Sequence, residues 1–307
     1  MARMETLREI AVSHAKKMPG MVDSLLEEAP ILERLKWKAS THGLWNMTEA
    51  LTDVVGPGFV NMNAELPSVG ASSGLEKVDL QIMGGTMEAP DDTLNQAGGP
   101  GKYFSDKQPR VLKKAGNDTE KNLYYNNWRA YALDNRAKQV INAGGTGTAL
   151  GSIVIVRLDE LGCTGLYDQS CFAQGTLLKV EPINGGNLYA LMDPKYKNVL
   201  GRGVMLKGYF GWQLMDPRCV SAIVNIDMAT PVTPTMLADA IDMARGKPGN
   251  TFIFCAPRVY THAISPNKTA NIVVKVEDKK ISTEVNDVDG IPIVTSHNLL
   301  GYAETAV

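Results

Sequence analysis

Glycine-rich stretches are the first candidates for chemistry in this sequence, because such loops can hold phosphate groups. In GGTGTALGS, residues 144–152, the glycines Gly145, Gly147 and Gly151 have a spacing close to that of a dinucleotide-binding loop. Such a loop requires a strand before it and a helix after it, so that the pyrophosphate lies at a helix N-terminus. Here a helical pattern precedes the stretch, a strand pattern follows it, and the spacing is one residue too long. We therefore interpret the stretch as a flexible hinge, with a cytosolic nucleotide-dependent enzyme as an alternative.

No other group of residues indicates catalysis. GGPGK, residues 98–102, fails as a phosphate loop because Tyr103 stands where a Ser or Thr would hold magnesium. No serine lies in a nucleophile-elbow context. The histidines and cysteines lack the paired spacing of metal ligands; they are His14, His42, His262, His297, Cys163, Cys171, Cys219 and Cys255. The sequence thus predicts no catalytic, cofactor-binding or metal-binding residue, no enzymatic activity, and cysteines that are reduced thiols.

The composition is that of a globular chain without a strong charge. The 307 residues are 44% hydrophobic and 21% charged, and the formal net charge is −2. A dedicated nucleic-acid-binding protein usually carries a clear positive excess, because phosphate contacts supply most of its affinity. Any contact with DNA is therefore expected to be weak. No stretch approaches the ~20 apolar residues of a membrane span, and we expect no membrane partner.

The elements that would position any functional residue begin with an arm and a long loop. Residues 1–42 carry short helical patterns broken by Pro and Gly, and look unable to form a domain alone. In residues 43–88, GLWNMTEAL and LEKVDLQIM each predict a strand. They flank residues 56–74, which are rich in Gly, Pro and Ser and far exceed an ordinary hairpin loop. This loop is predicted to leave the body of the protein and lie on another surface.

A long helix is predicted next. Ser105 or Asp106 offers its N-cap, Pro109 fits its first turn, and Gly144 with Gly145 offers its end. The pattern allows one long helix or two in succession. GSIVIVRL then predicts a short buried strand.

The remaining chain predicts strands and a compact α/β unit. In KGYFGWQLMDPRCVSAIVNID, residues 207–227, a period of two on both sides of Asp216 and Pro217 predicts two half-buried strands joined by a turn. Trp212 is expected to be at least partly buried. Helix and strand patterns then alternate, with helices beginning at Pro234 and Pro257; the strands are TFIFCA, NIVVKVED, KISTEV and GIPIVTS.

This order of elements resembles the major capsid protein of tailed bacteriophages, the Hong Kong 97 fold. APILERLKW is similar to the family's passage from arm to extended loop, and FGWQLMDPRCVSAIVNID to its strands around an Asp-Pro-Arg turn. LADAIDMARG, TFIFCAPRVYTHAI and DGIPIVTSHNLL resemble its axial domain. In the commonest arrangement the Asp-Pro-Arg-like strands close the chain, whereas here they precede the axial helix. The chain therefore resembles the permuted version of short-tailed phages, of the Bordetella phage type.

The resemblance implies an α+β fold with an N-terminal arm, extended loop, spine helix, peripheral domain and axial domain. Its division of the chain is residues 1–42 for the arm, 43–88 for the extended loop, 89–148 for the spine helix and peripheral domain, 149–204 for the region joining axial and peripheral domains, 205–228 for peripheral-domain strands, and 229–307 for the axial domain.

The function that the resemblance implies is assembly into an icosahedral shell that encloses double-stranded DNA. Copies of the chain would form hexamers and pentamers, and the extended loop would contact a neighbouring subunit through Phe59, Val60, Leu66 and Val69. Further expected partners are a portal protein, a decoration protein and packaged double-stranded DNA held by non-specific contact. A separate scaffolding protein is also expected, since the arm begins almost at once. The protein is expected in the virion after assembly in the host cytoplasm, and no Lys-Asn cross-link is expected. An encapsulin-like cargo shell, which shares the fold, is the closest alternative.

Overall fold

The computed structural model describes residues 29–62, 65–134, 139–160, 162–168, 178–191, 199–229, 232–265, 276–277, 280–281 and 287–307. The predicted arm before residue 29 lies outside the described residues, as do most of NIVVKVED and KISTEV. The helices are α1 Pro30–Arg34, α2 Asp91–Gln96, α3 Pro100–Asn122, α4 Ala130–Asp134, α5 Pro234–Met243 and α6 Pro257–Val259. The segments Leu123–Arg129 and Tyr260–Ile264 are π-helical and continue α3 and α6.

Within the described residues, the strands form two six-stranded sheets and two two-stranded ones. In chain order they are β1 Trp37–Ala39, β2 Trp45–Val55, β3 Gly70–Asp79, β4 Gln81–Pro90, β5 Val140–Asn142, β6 Gly151–Arg157, β7 Cys163–Tyr167, β8 Lys179–Pro182, β9 Tyr189–Ala190, β10 Leu200–Leu214, β11 Val220–Ile226, β12 Thr251–Cys255, β13 Val276–Glu277, β14 Lys280–Ile281, β15 Asp287–Val288 and β16 Ile291–Thr295. This mixture of helices and strands confirms the predicted α+β class.

The first sheet is built around β10 and lies against the long helix α3. Its order is β1-β7-β10-β4, with β8 and β9 also paired to β10. β4 runs antiparallel to β10 over its whole length. The buried side chains between this sheet and the helices are Leu94, Phe104, Leu112, Val180, Val204 and Leu206. This packing fixes the direction of α3 relative to β4, the strand that follows the predicted extended loop.

The second sheet, in the order β15-β16-β12-β6-β11-β5, carries the main core. β6 is a run of β-branched residues, and Ile153 to Val156 are fully buried because helices and neighbouring strands cover the sheet. The helix α5 begins as predicted, with Thr233 Oγ1 accepting a hydrogen bond from the Met236 amide. Trp128, in the π-helical continuation of α3, stacks on Phe254 of β12 with ring centroids 5.0 Å apart. The long helix therefore contributes to both cores.

The long helix starts earlier and ends earlier than the sequence predicted. It begins at Pro100 after Gly99, whose φ of 108° favours glycine, because proline at the first helical position has no amide hydrogen to leave unbonded. Pro109 lies inside the helix and not in its first turn. Gln139 is helical and β5 begins at the next residue, so a strand, and not the end of a helix, precedes the glycine-rich stretch. The prediction of both ends was therefore wrong.

Two strand predictions also need correction. LEKVDLQIM is not one strand: β3 ends at Asp79, β4 begins at Gln81, and Leu80 between them is buried and donates its amide to the Leu44 carbonyl. The strands around Asp216 and Pro217 lie in different sheets, β10 in the first and β11 in the second.

The half-buried prediction fails for β11, although it holds for Trp212 in β10. Every residue of β11 is buried, since α5, α4 and the π-helical segment all contact it. In β11, therefore, the alternation of side chains does not distinguish a solvent-exposed face from a buried face.

The glycine-rich stretch 144–150 is held in place and is not a hinge. Gly145 donates its amide to the Asn225 carbonyl over 2.9 Å, and Leu150 and Glu304 exchange backbone hydrogen bonds of 3.1 and 3.0 Å. The Ala306 amide donates to the Gly147 carbonyl. A strand, β6, follows the stretch, so no helix N-terminus is positioned for a phosphate. Glycine is required at Gly145, where a Cβ would lie 2.5 Å from the Asn225 carbonyl oxygen.

Candidate assembly surface

The hairpin β2–β3 is the largest element that lies outside both six-stranded sheets. The two strands pair antiparallel from Trp45 opposite Asp79 to Val55 opposite Gly70, with one irregularity after Leu51. Ten paired residues at ~3.4 Å each give a ribbon about 34 Å long. A two-stranded hairpin is marginally stable by itself in water, so its position depends on its base and on whatever covers its end.

A buried polar network fixes the base of the hairpin to the first sheet. Asn46 is 2% exposed, and its Nδ2 donates to Gln213 Oε1 of β10 over 2.6 Å and to Thr48 Oγ1 over 3.0 Å. Its Oδ1 accepts from the Thr41 amide at 3.2 Å. Because buried amide groups cost stability when their hydrogen bonds are lost, this network holds β2 against β10.

Aromatic packing covers the same base from outside. The rings of His42 and Trp45 stack at 3.8 Å and 5°. The Lys77 ammonium lies over the Trp45 ring, 5.6 Å from its centroid, and forms an ion pair with Asp79. The base is thus ordered by a hydrogen-bond network on one strand and by packing on both.

The far end of the hairpin presents apolar side chains to solvent. The four predicted contact residues, Phe59, Val60, Leu66 and Val69, all lie in the loop 56–69 and are all exposed. Phe59 makes the extreme case, with its side chain fully accessible. Exposed apolar groups gathered in one place are typical of an interaction site.

The sequence reasoning missed further apolar residues on the same surface. Met62 is 95% exposed in the loop, and Val54 and Val55 are exposed at the end of β2. Met62 stood in the loop pattern itself and could have been included. The two valines could not, because a strand pattern suggests burial and only the structure shows that nothing in the described residues covers this end of β2.

The helix α1 is attached to the body of the protein through a buried carboxylate. Ile31 of α1 is fully buried, and its amide donates to Glu120 Oε1 of α3 over 2.7 Å. The Ser296 hydroxyl donates to Glu120 Oε2 over 2.6 Å, and Asn298 Nδ2 donates to the same oxygen. Burial raises the pKa of the Glu120 carboxyl, although these three hydrogen bonds oppose the rise. This one side chain connects α1, the long helix and the segment after β16.

A second buried carboxylate, Glu304, connects the C-terminal segment to the same helix. It accepts hydrogen bonds from Ser152 Oγ at 2.9 Å and from the Tyr125 hydroxyl at 3.1 Å. Arg129 Nε lies 3.4 Å from Glu304 Oε2 as an ion pair. Burial raises the pKa of Glu304, while Arg129 opposes the rise.

The Asp-Pro-Arg turn is an ion-paired crossing between the two sheets. Asp216 accepts from the Arg218 amide at 3.0 Å and from Arg218 Nε at 2.8 Å. Arg157 Nη2 donates to Asp216 Oδ2 at 3.3 Å and to Cys219 Sγ at 3.2 Å. Burial would raise the pKa of Asp216, but the two arginines outweigh it and the pKa lies below its usual value. One carboxylate thus pairs with two guanidinium groups at the point where the chain passes from one sheet to the other.

The described part of the chain offers little for metal chemistry or membrane insertion. No group of three His, Cys, Asp or Glu residues within it could hold a metal ion. None of its helices has the length and apolar character of a membrane span. The arrangement that the structure does build is an anchored hairpin with an exposed apolar end.

Comparison with known proteins defines the class of the fold as that of phage capsid shells, the Hong Kong 97 type. A chain of bacteriophage Epsilon15 aligns with 14% identity over 89% of this chain and 88% of its own, with a TM-score of 0.58. The capsid of bacteriophage JBD30 aligns with 10% identity over 87% of this chain and 89% of its own, with a TM-score of 0.50. These identities are low, so the alignments establish the fold.

The family follows from the sequence. Residues 124–307, more than half of the chain, match the family model of the major capsid protein GP7, and the chain belongs to this family. No curated protein sequence matches it. An encapsulin, from the holo-SrpI complex of Synechococcus elongatus PCC 7942, aligns over only 65% of this chain with a TM-score of 0.46 and 11% identity. That likeness is too weak to favour the cargo-shell alternative.

Proposed function

We propose that copies of this major capsid protein assemble into a closed icosahedral shell around the double-stranded DNA genome of a tailed phage. The observation that carries the proposal is the hairpin β2–β3, which is anchored through Asn46 and Gln213 and exposes Phe59 and Met62 at its end. Burying one large apolar side chain contributes about 1.5–3 kcal/mol. Such contacts, repeated in every copy of a symmetric shell, sum to a stable particle.

In this proposal the protein is a structural subunit of the shell and has no enzymatic activity. The arm, residues 1–42, and the loop 56–69 reach neighbouring subunits, which form hexamers and pentamers. The long helix serves as the spine, the sheet of β10 as the peripheral domain, and the sheet of β12 as the axial domain. The order of β10 and β11 before α5 supports the permuted subtype of short-tailed phages. A scaffolding protein, a portal protein and a decoration protein are its proposed partners, with assembly in the host cytoplasm.

Electron microscopy of the expressed full-length chain, with and without a candidate scaffolding protein, tests the assembly. We expect closed shells from the wild type and none from the double variant Phe59→Ser, Met62→Ser, whose circular dichroism and thermal melt should match the wild type. The matched control replaces Leu188 and Met228, exposed apolar residues outside the hairpin, by Ser. Normal shells from the loop variant would contradict the proposed role of the hairpin.

The contents of purified particles separate the proposal from the cargo-shell alternative. Particles from infected cells should release double-stranded DNA when opened, whereas a cargo shell would release an enzyme. The nucleotide-dependent enzyme is tested by titrating ATP and NAD into the purified chain. We expect no binding, because the stretch 144–150 is occupied by the C-terminal segment.

A further inference from the structure

One side of the long helix α3 is buried with a regular period of four residues. The positions that the first sheet and the second core cover are Pro100, Phe104, Gln108, Leu112, Gly116 and Glu120. Because an α-helix has 3.6 residues per turn, this buried line winds slowly around the helix. The opposite line, which we call the outward line, winds with it by about 40° per step and is exposed at every position in the described structure; its residues are Lys102, Asp106, Arg110, Lys114 and Asp118.

That opposite side carries most of the charge of the helix. The cations of α3 are Lys102, Lys107, Arg110, Lys113, Lys114 and Lys121. Five of them are exposed and Lys113 is half-buried, while only two acids, Asp106 and Asp118, are exposed on the same helix. The exposed groups thus carry a charge of +3, or +4 when the half-buried Lys113 is counted, in a chain whose formal net charge is −2. We call this surface the basic strip.

We propose that the basic strip is a binding surface for the phosphate backbone of double-stranded DNA. This inference rests on the proposed function, because it identifies where the shell meets its genome. From Lys102 to Lys121 the helix rises about 28 Å at 1.5 Å per residue. Duplex DNA presents a phosphate every ~3.4 Å along each strand, so the strip is as long as about eight base pairs.

The composition of the strip favours DNA over a protein partner. A protein interface needs a dry apolar centre, but the one large apolar side chain exposed on α3 is Val111. The cations lie on the outward line and on both sides of it. This broad distribution suits a DNA backbone, whose phosphates can approach the helix at different angles. Lys114 pairs with Asp118 at 2.7 Å, and Lys107 donates to the Tyr103 hydroxyl at 2.8 Å, which orients both ammonium groups.

The two acids make the contact weak enough to be reversible. Asp106 and Asp118 lie on the same outward line as Lys102, Arg110 and Lys114, at steps of four residues. They lower the attraction for phosphate at each crossing. In a shell with many such strips, many weak contacts together hold the DNA, and each contact can dissociate separately when the DNA is released.

Fluorescence anisotropy of a labelled random-sequence duplex of about 20 base pairs, titrated with the purified full-length chain, tests the inference. Measurements between about 50 and 200 mM NaCl give the slope of log affinity against log salt, which is ~0.9 per phosphate contacted. The variant Lys107→Gln, Arg110→Gln, Lys114→Gln should reduce this slope by up to about 3. The matched control Lys38→Gln, Lys247→Gln, Arg258→Gln removes three exposed cations elsewhere and should keep the wild-type slope.

Two results would overturn the inference. The first is equal DNA affinity and slope for the strip variant and the wild type. The second is stronger binding of poly-glutamate than of the duplex, which would identify an acidic protein as the partner. Microscopy of the same variant keeps this test separate from the proposed function: we expect normal shells from the strip variant, since α3 keeps its buried side. Failure of the wild type to form shells would count against the proposed function alone.

Discussion

Glu120 shows how much one buried side chain can decide in this protein. It accepts hydrogen bonds from the Ile31 amide, Ser296 and Asn298, which belong to segments far apart in sequence. A carboxylate has enough lone pairs to accept all three, whereas an amide has one acceptor oxygen and would turn an NH₂ group toward a donor. The residue therefore has a structural reason to be acidic in a buried position.

We predict that Glu120→Gln destabilises the folded subunit by about 1–3 kcal/mol at neutral pH, the usual cost of buried hydrogen-bonding groups left without partners. Urea unfolding of the full-length chain at concentrations below assembly measures the change. Glu33→Gln, on the exposed side of α1, is the control and should unfold like the wild type. Equal urea midpoints for Glu120→Gln and the wild type would contradict the proposal that Glu120 stabilises the fold by linking these three segments.

The same carboxyls predict a pH dependence. Burial raises the folded-state pKa of Glu120 and of Glu304 above 4.5, so between 4.5 and the raised values the folded chain holds protons that the unfolded chain has released. Stability contributed by these two groups is therefore fully present below pH 4.5 and is lost as the pH rises through the raised pKa values. Unfolding midpoints measured from pH 4 upward should fall less steeply in Glu120→Gln, and an unchanged slope would contradict the assignment.

Trp212 belongs to the same scale, as part of an aromatic cluster where the two cores meet. Its ring lies edge-on to Trp37 at 6.2 Å and to Trp128 at 5.3 Å. Trp212→Ala should cost ~3–5 kcal/mol, a large share of the ~5–15 kcal/mol that stabilises a domain. Circular dichroism and thermal melting should show an unfolded or insoluble subunit. A melt like that of the wild type would mean that Trp212 is not part of the core.

At the scale of elements, the long helix α3 and the hairpin β2–β3 have different roles: the helix packs in the cores, and the hairpin extends from them. The helix is fixed at two places, because Phe104 of α3 lies in one core and Trp128 of its π-helical continuation lies in the other. In the part of the chain that the structure describes, the hairpin is held at its base, by the network around Asn46. Its loop contributes little to the fold of one subunit, since its large side chains are exposed.

Replacing residues 56–69 by a short Gly-Ser turn should therefore leave the stability of the subunit unchanged and abolish closed shells. The physical reason is that the loop removes no apolar surface from water until a neighbour covers it. Thermal melting and negative-stain microscopy of the same preparation make the comparison. Normal particles from the shortened protein would show that the loop is dispensable for assembly.

At the scale of the whole molecule, shell stability is predicted to depend on packing and not on disulfides. Cys163, Cys219 and Cys255 are free thiols, each fully buried. Burial raises the pKa of the Cys163 and Cys219 thiols, which disfavours the reactive thiolate.

Reductant alone should therefore leave assembled particles intact, as judged by microscopy. These three thiols should react with iodoacetamide only after the chain is unfolded, which mass spectrometry of each cysteine peptide can follow. Dissociation of particles on adding reductant, or rapid labelling of the three buried thiols in the folded protein, would contradict this view.

What the sequence by itself determined was the kind and order of most elements, because local patterns encode them. Alternating or continuous β-branched residues marked β6, β12 and β16, and the Thr-Pro start marked α5. The motifs around Asp216 and after Leu237 pointed to the capsid family that the comparison of residues 124–307 confirms. The exposed loop with Phe59 was also predictable, since its Gly- and Pro-rich composition lacks the apolar content of a core.

Only the tertiary structure decided where these elements meet. The buried line of α3 includes Gln108, Gly116 and Glu120, which no hydrophobicity pattern marks as buried, because their burial depends on partners far away in sequence. The separation of β10 and β11 into two sheets depends on the crossing at Asp216 and not on their shared alternation. The glycine-rich stretch that resembled a phosphate loop is a partner for the C-terminal segment, a pairing that exists only once both ends of the chain are folded together.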